Sequence, residues 1–287
     1  MVLAGVILLA YLFARNRNSL KINKERVLPL LALSLFSIYL TNILEFWGLQ
    51  YLSAAKTCFI YSLSPFLTSI FSYIHFGEKM NWQKLVGMLI GFGGFAPVLM
   101  MQTGSEELLN AFSFFSWPEL ALLGAAICSV YGWVLLRIIV KNQTLSPMYA
   151  NGYSMLFGGS IALIHSLFID SWNPLPVKEG ALLHFAEGIA LIILVSNIMC
   201  YNLYGFMLRK YTATFLSFLG LLSPFFASLN GWLLLKEPPS WTIFLSTIVV
   251  ICGLFIVYRA ELNQGYIVTK RAISSKAGGQ KHAATKI

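Results

Sequence analysis

Charge is what this chain has least of. Only 11% of its 287 residues are Asp, Glu, Lys or Arg, against about 25% in a soluble domain. The shortfall is concentrated, because 27–49 carries one charged residue and 120–136 none. Cysteine is also scarce. Cys58, Cys128, Cys200 and Cys252 form no close pair and each sits in an apolar stretch, which excludes a disulfide scaffold and reads as small packing residues. His184 and Glu187 are one turn apart, but His75, His165 and His282 are isolated, so no metal-ligand spacing occurs. Gly91-Phe92-Gly93-Gly94 lies within an apolar stretch rather than in a phosphate-binding turn. Neither a metal nor a cofactor is expected, and no enzyme chemistry.

What is abundant is apolar surface, with 57% hydrophobic residues, 15% aromatics and a mean hydropathy of +0.73. A spanning helix needs about 17–25 mostly apolar residues. Windows of that size predict an all-α, polytopic membrane protein with spans near 27–49, 52–76, 82–101, 117–140, 147–169, 184–206, 211–236 and 240–258. A ninth, Met1–Ala14, is short and ends in Arg15-Asn16-Arg17-Asn18. It lacks a basic leader, so it reads as the end of a spanning helix rather than a signal peptide.

Alternating these segments across a bilayer places 17 of the 20 lysines and arginines on one side, leaving Lys56, Lys178 and Lys236 on the other. That bias fixes the orientation by the positive-inside rule, with the C-terminus cytoplasmic. It also accounts for the net charge of +9 without a nucleic-acid partner; lipid is the expected surroundings. The tail, with few groups able to bury apolar area, is expected to be disordered. The sequon Asn142-Gln143-Thr144 falls on the cytoplasmic side, where glycosylation does not occur.

A shift of 159 residues brings Leu63-Ser64-Pro65-Phe66 onto Leu222-Ser223-Pro224-Phe225, and pairs Ser69 with Ser228, Glu78 with Glu237, Trp82 with Trp241 and Gly94 with Gly253. The related loops lie on opposite sides, so the repeat is inverted, as in secondary transporters. The shift carries 117–140 to before residue 1. Five-helix halves are therefore expected, with about nine helices present and the first missing.

Gly48-Leu49-Gln50-Tyr51-Leu52-Ser53-Ala54-Ala55, followed by Pro65, Glu78, Gly87 and Gly94 and repeated more loosely as Tyr211-Thr212-Ala213-Thr214, Pro224, Glu237 and Gly253, resembles the EamA family of the drug/metabolite transporter superfamily. The resemblance implies a ten-helix inverted repeat with both termini cytoplasmic and a substrate cavity between the halves. It divides the chain into a first half at 1–101, a second at 102–258 and a basic tail at 259–287. Members similar to this chain move amino acids, nucleotide sugars, S-adenosylmethionine and other polar metabolites, and a bacterial inner membrane is the implied location.

Polar groups inside a membrane are candidates for function. Ser34, Ser37, Thr41, Glu45 and Gly48 form one helical stripe with Asn42 beside it. Glu45 reads either as a cavity or proton-coupling group or as an interfacial carboxylate. Thr57 and Tyr61 share a face of the next span. Lys56 is placed to meet Glu45, as a gate or as the two poles that bind a zwitterion, or else it snorkels to the headgroups. Asn197, Tyr201 and Tyr204 share a face further on. Pro65 and Pro224 free backbone carbonyls at related points and predict kinks. Gly87-xxx-Gly91 and Gly124-xxx-Cys128-xxx-Gly132 read as packing seams. Glu78 and Glu237 suit the helix starts they precede. The expectation is a secondary transporter for a small polar or zwitterionic, amino-acid-like metabolite. The alternatives are a nucleoside-type cargo such as S-adenosylmethionine, stacked on tyrosines and balanced by Glu45, and a non-transporting scaffold. The proton is the coupling ion if Glu45 titrates.

Overall fold

The computed structural model describes residues 1–15, 24–52, 54–102, 116–141, 145–170, 177, 180–236 and 241–267. Ser53, the sequon at 142–144, Lys178, Glu237 and the tail beyond 267 lie outside the described residues.

In hydrocarbon every backbone N–H and C=O must be satisfied within the chain, which leaves helices as the economical answer for apolar segments of this length. The described residues form α1 (Val2–Arg15), α2 (24–49), α3 (54–76), α4 (Trp82–Gln102), α5 (Trp117–Lys141), α6 (Pro147–Ile169), α7 (Leu182–Met207), α8 (213–235) and α9 (Trp241–Asn263). Seven of them, among the described residues, are long and apolar enough to cross a membrane, and α1 is shorter. Helix α4, with 21 residues, is about 31 Å long. The apolar side chains of α7 and α9, such as Leu191, Leu194, Ile251 and Phe255, face outward, as suits lipid.

Small residues hold the bundle together. A Cβ on Gly253 of α9 would stand 2.6 Å from the Gly87 carbonyl oxygen of α4. One on Gly132 of α5 would stand 2.5 Å from Ser37 Cβ of α2, and one on Gly158 of α6 would stand 2.5 Å from the Ser34 carbonyl oxygen. These seams let backbones approach closely where side-chain hydrophobicity gives no preference over lipid.

The 159-residue repeat is visible in backbone detail. Ser64–Phe76 matches Ser223–Leu235, each with Pro in its first turn after an interruption at Leu63 or Leu222. Each then ends on a left-handed residue, Gly77 (φ 65°) and Lys236 (φ 59°). Wide π turns at Ser34–Leu40 of α2 and Ile192–Cys200 of α7 are also related. Four helices lie between the members of each related pair, so α2, α3 and α4 run opposite to α7, α8 and α9. The repeat is inverted. It is not equally covered: α5 packs against α2, whereas the described residues offer no counterpart on the corresponding face of α7, and none of Leu182–Leu191 is buried.

Two helix ends differ from the sequence expectation. Helix α5 runs on to Lys141, and Arg137, near the end of the expected span, is inside the bundle at 2% exposure. Helix α9 passes 258 and ends at Asn263 because Glu261, at 0% exposure, belongs to its packed face. In both cases an ion pair described below makes burial of the charge tolerable.

The glycine seam generates a test. Gly253→Ala pushes a methyl group into backbone and should lower the unfolding free energy in detergent by about 1–3 kcal/mol. Gly93→Ala, which meets nothing within 4 Å, should leave thermal stability unchanged or raise it by about 0.5–1 kcal/mol.

Candidate functional site

A cavity of about 400 Å³ opens between α3, α5, α7 and α8, within the range of small-molecule sites. Its walls include Tyr61 and Ser62 of α3, Ser129 and Trp133 of α5, Tyr204 of α7, and Ser217 and Pro224 of α8. Both repeat-related helix interruptions border it, since Ser64 and Ser223 also line the walls. Pro65 has no N–H for the carbonyl one turn back, that of Tyr61. The hydroxyls of Ser62 and Ser217 donate to the carbonyls of Phe59 (2.6 Å) and Thr214 (3.0 Å), leaving lone pairs for a ligand. The buried hydroxyl of Tyr61 has no hydrogen-bond partner among the described residues.

One wall is aromatic. The Trp133 ring lies 4.1 Å from that of Tyr204 and 5.1 Å from that of Tyr201, centroid to centroid. Glu45, half-buried on α2, is within electrostatic reach of the hydroxyls of Tyr61 and Tyr201. It takes part in none of the ion pairs found among the described residues, whereas Glu78, Glu119, Glu187 and Glu261 all do.

The expected pairing of Lys56 with Glu45 is corrected. Lys56 forms its salt bridge with Glu119 in the first turn of α5. Glu119 is held there by the Ser116 N–H (2.8 Å) and hydroxyl (2.7 Å), which donate to its other oxygen. The buried Glu119 is the better-fixed partner, and Glu45 faces the tyrosines instead.

The remaining expected site residues divide between places. Tyr61, Tyr204 and Pro224 line the central cavity, and Tyr201 backs its aromatic wall. Thr41 donates its hydroxyl to the Phe36 carbonyl (2.7 Å) and Asn42 its amide to the Ile38 carbonyl (2.6 Å). Both serve carbonyls of the wide turn. Asn42 and Asn197 border a separate groove of about 630 Å³ between α1, α2, α6 and α7. Thr57 neighbours the cavity-lining Cys58 without lining the cavity itself. Pro65 is buried beside the α3 interruption.

Call the end bearing the connections after α3, α5, α7 and α9 the basic end. It is closed by buried charge. Arg137 Nη2 donates to Glu78 Oε1 at 2.6 Å, both side chains being 2% exposed, and the guanidinium stands 4.4 Å above the Phe76 ring. Lys84 pairs with Glu261 at 2.7 Å, both fully buried. Glu261 also accepts from the Thr212 hydroxyl, and Thr212 caps α8 by accepting from the Phe215 N–H at 3.0 Å. The sequence reading missed Trp133, Arg137, Glu119 and Glu261. Trp133 adjoins the Gly132 seam and Arg137 follows one turn later, and that shared face was the available signal.

An inverted-repeat helical bundle with a central, partly polar cavity is the build of a membrane carrier. The profile of the EamA-like transporter family matches residues 1–100 and 116–259, and the chain belongs to that family. It is a multi-pass membrane transporter of metabolites, not an enzyme. An S-adenosylmethionine/S-adenosylhomocysteine transporter of Chlamydia trachomatis serovar L2 is 40% identical over 272 residues, covering 94% of this chain and 81% of that protein. The transporter of that name in Chlamydia muridarum is 40% identical over 94% of this chain and 84% of its own length. An uncharacterized transporter of Bacillus subtilis, YoaV, is 24% identical over 88% and 82%. One solved crystal structure has the same fold, with a TM-score of 0.68 at 16% identity over 89% of this chain and 84% of that one.

If the cavity is wetted, chemistry can report it. With the native cysteines replaced, Ser129→Cys should react with a charged, water-soluble thiol reagent in intact proteoliposomes. Ile251→Cys, on the lipid-facing side of α9, should resist; equal reactivity would argue against an aqueous cavity.

Proposed function

We propose that this protein exchanges S-adenosylmethionine for S-adenosylhomocysteine through the central cavity by alternating access, the basic end facing the cytoplasm. The observation that carries this reading is a carboxylate, Glu45, that has no ion pair among the described residues and stands beside an aromatic wall. An adenine ring has a π face for Trp133 and Tyr204, a contact worth about 1–3 kcal/mol per base. The sulfonium of S-adenosylmethionine supplies the positive charge that Glu45 lacks, and the neighbouring tyrosine faces attract cations too. A carboxylate in the membrane costs about 2.5–3.5 kcal/mol on insertion scales, so a cationic cargo offsets a cost that the apo protein carries. Similarity to the chlamydial carriers supports the nucleoside-type cargo over the amino-acid-like one. A plain amino acid would leave the aromatic wall without a partner. Exchange of one cargo for the other needs no proton, which makes Glu45 a charge complement in this scheme.

Counterflow tests it. Proteoliposomes loaded with S-adenosylhomocysteine should accumulate labelled S-adenosylmethionine, and loading with methionine should give no stimulation. Uptake of amino acids in the absence of any S-adenosylmethionine uptake would reject the reading. Glu45→Gln should weaken S-adenosylmethionine by about tenfold and S-adenosylhomocysteine, which has no sulfonium, by less. Equal losses would remove Glu45 from recognition of the cationic pole.

A further inference from the structure

Among the described residues Arg137 is the largest side chain enclosed by the bundle, and it is poorly satisfied for its size. A guanidinium has five N–H donors. Nη2 reaches Glu78, while Nε and Nη1 have no acceptor among the described residues. The second oxygen of Glu78 has no donor there either. A structural clamp optimised for stability would satisfy these groups, because a half-satisfied buried network is costly.

The position of Arg137 gives the unsatisfied groups a use. It follows Trp133 by one turn on the same face of α5, and it is within electrostatic reach of the Tyr204 hydroxyl. Trp133 and Tyr204 both line the cavity. The guanidinium therefore lies behind the aromatic wall, toward the basic end, while Glu45 lies toward the other end. Its present partner, Glu78, belongs to the connection between α3 and α4, so the contact joins that connection to α5.

We propose that Arg137 is the anchor for the cargo's amino-acid carboxylate, which replaces Glu78 on the guanidinium and thereby releases the contact that closes the basic end. This rests on the cargo reading above, since S-adenosylmethionine and S-adenosylhomocysteine share that carboxylate. The exchange swaps one carboxylate for another, so the buried arginine stays paired throughout. A free carboxylate can also engage the guanidinium edge in the two-point geometry such pairs favour. Closure at the basic end is then weakened by the cargo itself, and the cargo's two poles are read at opposite ends of the cavity.

The test compares S-adenosylmethionine with its decarboxylated form, which keeps the adenosyl group, sulfonium and amine. Calorimetric titration of the purified full chain should show the carboxylate-bearing ligand binding about 30-fold more tightly. Arg137→Gln should abolish that difference by weakening only the carboxylate-bearing ligand. Glu78→Gln removes the competitor and should tighten S-adenosylmethionine, an effect opposite to that of breaking a purely structural pair. Wild-type protein that binds both ligands alike overturns the anchor and leaves the cargo standing, without recourse to any variant. Weaker S-adenosylmethionine binding by a folded Glu78→Gln protein would also overturn it. Wild-type protein that binds neither S-adenosylmethionine nor S-adenosylhomocysteine overturns the cargo reading and this proposal together.

Discussion

The backbone of a chain in hydrocarbon has to satisfy its own hydrogen bonds, and departures from regular helix are tolerated only where something else can serve the freed groups. This protein departs at repeat-related places: wide turns in α2 and α7, and proline interruptions in α3 and α8. Each departure has its compensation. Thr41 and Asn42 serve carbonyls in α2, and Asn202 donates to the Ile198 carbonyl (2.6 Å) in α7. Around Pro224 the compensation is a tightened turn at Gly220–Leu222. The cavity lies between the two proline interruptions. Its place is thus set by backbone chemistry before any side chain is considered.

Charge follows a second form of the same constraint. Removing one member of a buried ion pair costs about 3–5 kcal/mol, so Lys84 with Glu261 and Arg137 with Glu78 hold each other in place at the basic end. Lys56 and Glu119 do so toward the other end. Between them Glu45 has tyrosines for neighbours and, among the described residues, no ion-pair partner. On the reading proposed above, the cargo supplies the positive charge that these pairs leave Glu45 without.

Much of this was legible in the sequence, and for identifiable reasons. Long apolar runs are read by length alone, and proline at 65 and 224 announced the interruptions because no other residue lacks the N–H. The glycine seam of α4 was equally plain. What was hidden depended on which face a residue presents after packing. Arg137 reads as a flanking basic residue because sequence cannot distinguish a charge at the end of a span from one enclosed by neighbouring helices. Glu45 is far nearer to Lys56 along the chain than Glu119 is, and only the fold brings Glu119 to it. Trp133 was invisible for a related reason, since a tryptophan in an apolar run looks lipid-facing until Tyr201 and Tyr204 are found against it. The wide turns in α2 and α7 left no sequence signal, as they require nothing beyond residues that tolerate a helix.

The arrangement along the bundle axis constrains how a carrier of this kind can move. The repeat would permit symmetric closure at both ends, yet the charged contacts are not symmetric, since Lys84 corresponds to Ile243. Among the described residues, the charged contacts at the two ends therefore differ. At the basic end the pairs are buried, and on the proposed reading Arg137 parts from Glu78 as the cargo's carboxylate replaces it. Toward the other end the pair is less enclosed, the Lys56 side chain being 18% exposed, and water can help separate it. A cycle built on these contacts has its more demanding step at the basic end, where water is excluded and only a ligand's own charge can keep the arginine paired while the helices separate.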